Sequence, residues 1–138
     1  MGIGGFLCFF PLSFAALWDF RHRIIPDWTV FLIFSCAVLN IALGQAALLP
    51  CVFGMTAVGV PLWLAAAGGN GIGGGDVKLC AALGALLGLE KALLLLMLAL
   101  LGLTVSGKLR KKKRLPFAPY VWGAFYILLA AEIIQRSC

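Results

Sequence analysis

The composition of this chain excludes a water-soluble globular domain. Of its 138 residues, 63% are hydrophobic and only 12% are charged, and the mean hydropathy is +1.08. A soluble domain carries roughly 25% charged residues, so this chain has too few to cover its surface in water. Because a membrane helix needs roughly 20 residues, about six helices would occupy nearly the whole length. We therefore expect residues 1–138 to form a single membrane-embedded domain.

The N-terminal residues and the cysteines add two expectations. Residues 1–5 carry no basic side chain, so the first apolar segment is predicted to be a permanent span rather than a cleaved signal peptide. The five cysteines form no C-x-x-C pair, which excludes the usual zinc and redox motifs. We expect them to be small apolar residues between helices, at Cys8, Cys36, Cys51, Cys80 and Cys138.

The chain contains six apolar segments separated by short polar or glycine-rich stretches. They are residues 3–18, 28–43, 46–67, 79–89, 92–107 and 118–134. Helices satisfy their own backbone hydrogen bonds in lipid, so the prediction is an all-α, polytopic integral membrane bundle. The fourth segment, at ~16 Å, is too short for a ~30 Å hydrocarbon core. It must be buried, re-entrant, or located where the bilayer is thin.

Residues 79–107 admit two interpretations, one long helix or two helices that break near residues 88–91. Lys and Arg gather in cytoplasmic loops, which decides between them. With six spans, three loops share one face and hold nine of the eleven basic residues. These loops are 19–27, 68–78 and 108–117. A single long helix would move the basic cluster 108–114 to the other face, so we favour six spans with both termini outside the cytoplasm.

The basic run 108–114 has two readings of its own. Such runs occur in nucleic-acid-binding patches, but no aromatic residue interleaves this one to stack on bases. A topology anchor that attracts anionic lipid explains it better. We expect the lipid bilayer to be a partner and nucleic acid not to be one.

All three aspartates fall on the face predicted to be cytoplasmic. Ionisable groups at membrane depth are costly and are functional candidates; the alternative is that each one caps a helix. Asp76 lies where a helix should start, and Asp27 follows Pro26 at the start of another, both natural capping positions. Asp19 closes a helix C-terminus, where the macrodipole disfavours an anion. Capping of its own helix therefore does not explain Asp19.

The segment before Asp76 contains six glycines in the nine positions 68–76. Its G-x-G-x-x-G match at 69–74 has no preceding strand and no following Gly-Lys-Ser/Thr, so a nucleotide site is not supported. Glycines let another backbone approach closely, as an extended peptide beside a catalytic carboxylate must. A flexible hinge is the alternative.

Two carboxylates on one face suit peptide hydrolysis. One must be ionised to take a proton from water, and the other must be protonated to donate one. Two neighbouring acids divide their titrations in this way, because both cannot ionise easily. Lys78 lies two residues past Asp76 and would point elsewhere on a helix, so we expect it to mark the membrane face.

Three patterns in the chain resemble those of the bacterial type IV prepilin peptidases. The first is Asp19 followed by six residues and Pro26, the second runs from Gly73 through Asp76 to Lys78, and the third is Pro116–Pro119. They cover most of the chain in the family's order. The resemblance implies a membrane aspartic endopeptidase with Asp19 and Asp76 as its catalytic pair. The other site residues it indicates are Gly73, Gly74, Gly75, Lys78, Pro26, Asp27, Pro116, Phe117 and Pro119.

The resemblance also implies a substrate and a location. The substrate would be a prepilin with a short basic leader, cleaved after a glycine at the cytoplasmic face of a bacterial inner membrane. The chain is similar to the short, peptidase-only family members that are associated with Flp-type (tight-adherence) pili, so we expect no methyltransferase activity, no cofactor and no metal. It departs from the family at Asp27, where Asn is common, and at Ala118, where Gly is common. Asp27 would cap a helix as Asn does or add a third titrating group.

Two other function classes remain open from the residues alone. Intramembrane carboxylates beside glycine-broken helices also suit a small proton- or cation-coupled transporter or binding protein, and a short helical protein can be a structural scaffold. A transporter should carry polar groups near the bilayer midplane, and these segments have almost none. The oligomeric state is not indicated.

Overall fold

The computed structural model describes residues 3–22, 24–69, 73–110 and 117–138, which are almost entirely helical. The helices are α1 (Ile3–Leu7), α2 (Phe9–His22), α3 (Asp27–Ala42), α4 (Leu48–Ala67), α5 (Gly74–Leu87), α6 (Leu89–Arg110) and α7 (Ala118–Ser137). Only Cys8 separates α1 from α2, so these two form one interrupted segment. The prediction of an all-α bundle of about six segments is confirmed.

The interruption at Cys8 has a cause in the sequence. Pro11 has no N–H to donate to the carbonyl of Leu7, and its ring crowds that carbonyl. The regular pattern resumes one residue later, where the Leu12 N–H donates to the Cys8 oxygen at 3.1 Å. The first predicted span is therefore a helix interrupted at Cys8.

Three of the helices are long and apolar enough to cross a membrane, judged among the described residues by length and composition. They are Leu48–Ala67, Leu89–Ser106 and Ala118–Ser137, with the shorter apolar α3 beside them. With the apolar surface that the bundle leaves exposed, this makes the chain a multi-pass membrane protein.

The short fourth segment lies in the centre of the bundle. α5 packs against α1, α3, α4 and α6, and from Leu79 to Leu86 only Ala81 escapes full burial. At 14 residues it is about 21 Å long, so burial among its neighbours is how the chain accommodates it. α5 begins at Gly74, before the apolar segment 79–89, and so includes part of the expected loop 68–78.

Small residues allow α4 to approach α5 closely. A Cβ atom on Gly84 would lie 2.5 Å from the Gly54 oxygen, and one on Gly54 would lie 2.4 Å from the Gly84 oxygen. Membrane helices commonly associate through such glycines, which bring backbones into contact.

The chain breaks between α5 and α6 at Gly88. Its φ of +77° lies in the left-handed region that glycine adopts without steric cost. The Gly88 N–H still closes α5 by donating to the Gly84 oxygen, and the Gly88 oxygen then accepts from Ala92 at the start of α6, both at 3.0 Å. Two helices, rather than one, therefore cover residues 79–107. Glu90 and Lys91, expected in the break, belong to the first turn of α6.

The end of the bundle that holds all three aspartates, called the aspartate end below, is built from alternating helix termini. α2, α4 and α6 finish there, and α3, α5 and α7 begin there. α6 extends to Arg110, so the first part of the basic run 108–114 is helical. Residues 111–114 lie outside the described ranges.

Candidate active site

Asp19 lies in the last turn of α2 and is 4% exposed. Its Oδ2 accepts a hydrogen bond from the backbone N–H of Ala118 at 3.1 Å. Ala118 is the first residue of α7, where the macrodipole favours an anion. The carboxylate that its own helix disfavours is thus stabilised by the N-terminus of another helix.

The start of α7 explains why this partner is available. The first N–H groups of a helix have no partner within it, and Pro119, the next residue, has no N–H at all. Ala118 therefore presents a free donor, and it is completely buried together with the largely buried Phe117. The Pro116–Pro119 pattern therefore contributes a backbone N–H, and not a side chain, to the contact with Asp19. Pro116 lies outside the described residues.

Asp76 is the third residue of α5, which begins after Gly73. The Asp76 N–H donates to the Gly73 oxygen at 3.0 Å, and the Gly73 backbone in turn donates to the Asp76 carboxylate. This reciprocal pairing resembles a capping box. The expectation that Asp76 stands at a helix start is confirmed.

The two carboxylates interact electrostatically. Both lie in terminal turns, outside the spanning stretches. The pKa of Asp76 is raised from 3.8 to about 6, chiefly by burial and next by the negative charge of Asp19, against the opposing hydrogen bond from Gly73. Burial also raises the pKa of Asp19, against the hydrogen bond from Ala118. Burial and the neighbouring charge therefore both disfavour the state in which the two carboxyls are ionised together.

The glycines before Asp76 differ in what surrounds them. A Cβ on Gly73 would lie 3.4 Å from Asp76 Oδ2, so Gly73 borders the carboxylate, whereas a Cβ on Gly74 would meet nothing within 4 Å. A Cβ on Gly75 would lie 3.2 Å from the Cβ of Ile25, so Gly75 allows the α2–α3 connection to pack on α5. The middle of the tract, residues 70–72, lies outside the described ranges.

Lys78 and Asp27 form an ion pair at the outer edge of this site. Lys78 Nζ lies 3.1 Å from Asp27 Oδ1, and both side chains are well exposed. The N-cap of α3 is Pro26, whose oxygen accepts from the Thr29 hydroxyl at 2.7 Å. Of the two roles that the sequence leaves open for Asp27, capping is not observed: Asp27 lies in the first turn of α3, with no side-chain cap hydrogen bond, and pairs with Lys78.

Sequence reasoning identified the carboxylates but not their partners. Ala118 entered the sequence analysis only as a departure from the family pattern, yet its N–H is the contact that stabilises Asp19. The signal was present in Pro119, which marks the start of a helix. The pairing of Lys78 with Asp27 joins residues 51 positions apart and had no local signal. Within the described ranges, no group of three His, Cys, Asp or Glu side chains is placed to hold a metal ion.

A model of the type IV leader peptidase family matches residues 6–107. The chain belongs to this family. No curated protein and no solved structure shows a significant match. The matched range includes Asp19, Asp76, Asp27 and Lys78, and it ends before α7, so the contact from Ala118 is a structural observation beyond the family match. Membership makes the chain a protease of the leader peptidase type.

Proposed function

We propose that the chain is a membrane aspartic endopeptidase and that Asp19 and Asp76 are its catalytic pair. The observation that carries this proposal is the raised pKa of Asp76, about 6, to which both burial and the charge of Asp19 contribute. A carboxyl whose pKa is raised by burial beside a second carboxylate can keep a proton to donate, as the acid of such pairs does in other enzymes.

The surroundings of the two acids support different roles. The hydrogen bond from Ala118 stabilises the anionic form of Asp19, so Asp19 is the base that removes a proton from the attacking water. Asp76 holds its proton to higher pH and donates it to the carbonyl oxygen of the scissile peptide. The tetrahedral intermediate then collapses: one of its two hydroxyls returns a proton to Asp76 as the C=O bond re-forms, the C–N bond breaks, and the proton taken up by Asp19 passes to the leaving amine.

The test is cleavage of a candidate prepilin by Asp19→Asn and Asp76→Asn variants in detergent or lipid. Asn keeps an oxygen that can accept the Ala118 N–H, so Asp19→Asn removes the charge and preserves the contact. We expect each variant to lose activity while remaining folded, and the double variant to be no worse than either, because residues that act as a unit are not additive. Glu90→Gln, at the opposite end of the bundle, is the matched control. Substantial cleavage by either Asn variant would remove that residue from the pair.

The proposed substrate is a prepilin of the Flp type with a short basic leader, cleaved after a glycine at the cytoplasmic face of a bacterial inner membrane. Family membership and the multi-pass architecture support a membrane-anchored substrate of this kind. Glycine disfavours helix by about 1 kcal/mol, which helps to expose the scissile carbonyl. A bulky residue in place of that glycine should stop processing, whereas neutral residues in the leader should matter less. Normal cleavage of the bulky variant would contradict this specificity.

The proposal also covers the side of the membrane on which the loops lie and the chemical state of the cleaved pilin. Cysteine labelling that places 108–114 outside the cytoplasm would contradict the topology. The product should carry an unmethylated N-terminus in the presence of S-adenosylmethionine, which mass spectrometry measures directly.

The distribution of buried polar side chains does not favour a transporter. Among the described residues these are Asp19, Thr29 and Asn40. Each lies within a turn of a helix end, in α2 or α3, rather than near the middle of a span where a transport site is expected.

A further inference from the structure

The hydrogen bond from Ala118 to Asp19 at the aspartate end depends on how α7 lies along α2. The two helices run antiparallel and pack against each other, and the N–H groups at the start of a helix point along its axis. The N···O distance is 3.1 Å, so moving α7 away along its axis by the rise of one residue, about 1.5 Å, would exceed hydrogen-bond range. The position of α7 along α2 must therefore be fixed by another contact.

A second polar contact joins α7 to α2 further inside the bundle. The indole N–H of Trp122 donates to the Ser13 hydroxyl oxygen at 2.8 Å. Trp122 follows Ala118 by four residues and Ser13 precedes Asp19 by six, so the two contacts lie roughly 6–9 Å apart along the helices. They are placed one behind the other on the same interface and share no residue.

The geometry of the Ser13 contact is directional. The Ser13 hydroxyl donates its own hydrogen to the Phe9 oxygen at 2.7 Å, so its lone pairs are left to accept, and the indole has a single N–H to donate. The Trp122 ring in turn lies 6.3 Å from the ring of Phe9 and stacks on Tyr126 with centroids 6.0 Å apart. The indole therefore reaches the hydroxyl from one fixed orientation.

Apolar side chains in the same region constrain the axial position less sharply. Leu12 of α2 and Val121 and Phe125 of α7 are fully buried in the hydrophobic core. Burial of apolar surface has no preferred direction, whereas a hydrogen bond tolerates only a narrow range of distance and angle. The core therefore holds α7 against α2, and the hydrogen bond between Ser13 and Trp122 determines its position along the axis.

We infer that Ser13 and Trp122 are positioning residues, whose hydrogen bond fixes α7 along α2 and so keeps the Ala118 N–H against Asp19. The catalytic consequence rests on the proposed function, in which Asp19 is the base. A buried carboxylate that loses a hydrogen bond to its charged form is harder to keep ionised. The family match ends at residue 107, before α7, so this role lies outside the matched range.

The amide proton of Ala118 tests the inference directly. In isotopically labelled protein in detergent micelles, nuclear magnetic resonance measures how fast this proton exchanges with deuterated water, which reports local opening of the contact. Ser13→Ala and Trp122→Phe should each speed the exchange by roughly fivefold, the scale of one hydrogen bond. Ser13→Thr keeps a hydroxyl that can bond the preceding helical turn and accept the indole N–H, so it should exchange at close to the native rate.

Ser35→Ala is the matched control. The Ser35 hydroxyl makes the same kind of hydrogen bond, to the oxygen four residues earlier at 2.8 Å, but it lies exposed on α3. Its loss should leave the Ala118 exchange rate unchanged. Native exchange of Ala118 in both Ser13→Ala and Trp122→Phe would overturn the inference. Equal acceleration of amide exchange in every helix would also overturn it, because that result shows a general loss of stability.

Cleavage kinetics separate this inference from the proposed function. Because the contact acts on Asp19 and not on the substrate, Ser13→Ala and Trp122→Phe should lower kcat several-fold and leave KM unchanged. The double variant should be no slower than either, because both substitutions remove one contact. Native kcat in variants whose Ala118 proton exchanges faster would overturn the positioning role. Substantial cleavage by Asp19→Asn would instead contradict the proposed function, and the Ala118 exchange rates would still decide whether Ser13 and Trp122 fix α7.

Discussion

Replacing Gly84 with alanine should force α4 and α5 apart and destabilise the bundle. The new Cβ would lie 2.5 Å from the oxygen of Gly54, 2.8 Å from its carbonyl carbon and 3.1 Å from the Cα of Met55. Carbon atoms in contact prefer about 3.5–4.0 Å. All three obstructing atoms belong to the α4 backbone, so no side-chain rotation relieves the clash, and the two helices must separate by roughly 1 Å.

The size of the effect follows from two opposing contributions. Overpacking a well-packed interface typically costs about 1–3 kcal/mol, and a backbone obstacle places Gly84→Ala toward the upper part of that range. Alanine in place of a helical glycine recovers about 0.5–1 kcal/mol. We therefore expect a net loss of about 2 kcal/mol, which for a domain of this size lowers the melting temperature by on the order of 5–10 °C.

Buried cysteines provide the assay. Cys8 and Cys80 are inaccessible in the folded protein. After the exposed Cys138 and the half-buried Cys36 have been blocked with a non-fluorescent thiol reagent, a thiol-reactive fluorescent dye reports the exposure of the buried cysteines as detergent-solubilised protein is heated. Gly123→Ala in α7 is the matched control, because a Cβ there would meet nothing within 4 Å. It should melt at the native temperature or slightly above it.

The contact between α4 and α5 can also be tested by substituting Gly54. Gly54→Ala would place its Cβ 2.4 Å from the Gly84 oxygen, and it should destabilise the protein to a similar extent. Once the helices have separated, the second methyl group meets less resistance, so the double variant should lose less than the sum of the two. A Gly84→Ala protein that melts with the Gly123→Ala control would refute the close approach of α4 and α5.

Three further outcomes concern the carboxylates and their neighbours. Cleavage should decline as pH rises above about 6, where Asp76 loses its proton. Asp19→Asn should lower the pKa of Asp76 in carboxyl NMR titrations, because a like charge is removed. An unchanged pKa of Asp76 would show that the two carboxylates do not interact. A carboxyl whose pKa is raised by folding stabilises the protein at low pH and loses that contribution as pH rises through about 6. Asp76→Asn should therefore raise the melting temperature above pH 6 but not below pH 3.8. An equal rise in melting temperature at every pH would contradict the burial of the Asp76 charge. Lys78→Met should change stability by less than about 1 kcal/mol, because its pair with Asp27 is exposed; a larger loss in thermal melts would show that this pair holds the α2–α3 connection on α5.

Much of the architecture follows from the order of residues alone. Hydropathy locates the segments because a backbone in lipid must satisfy its own hydrogen bonds, and Gly88 marks the break between α5 and α6 because a left-handed residue is cheapest as glycine. Glycine next to Asp76, and an aspartate at the end of an apolar segment, marked the two carboxylates as candidates, and the family resemblance indicated them as a pair. These signals are local, and each depends on a few neighbours in the chain.

The partners of those residues were decided by the tertiary structure. Asp19 stands at the unfavourable end of its own helix, and only the antiparallel arrangement of α2 and α7 brings the Ala118 N–H to it across 99 positions. The length of segment 79–89 left three placements open, and the packing of four other helices around α5 selected burial. Hydropathy measures how apolar a segment is but not which neighbour it meets. The raised pKa of Asp76 requires both its burial and the nearness of Asp19, and neither property exists until the helices are assembled.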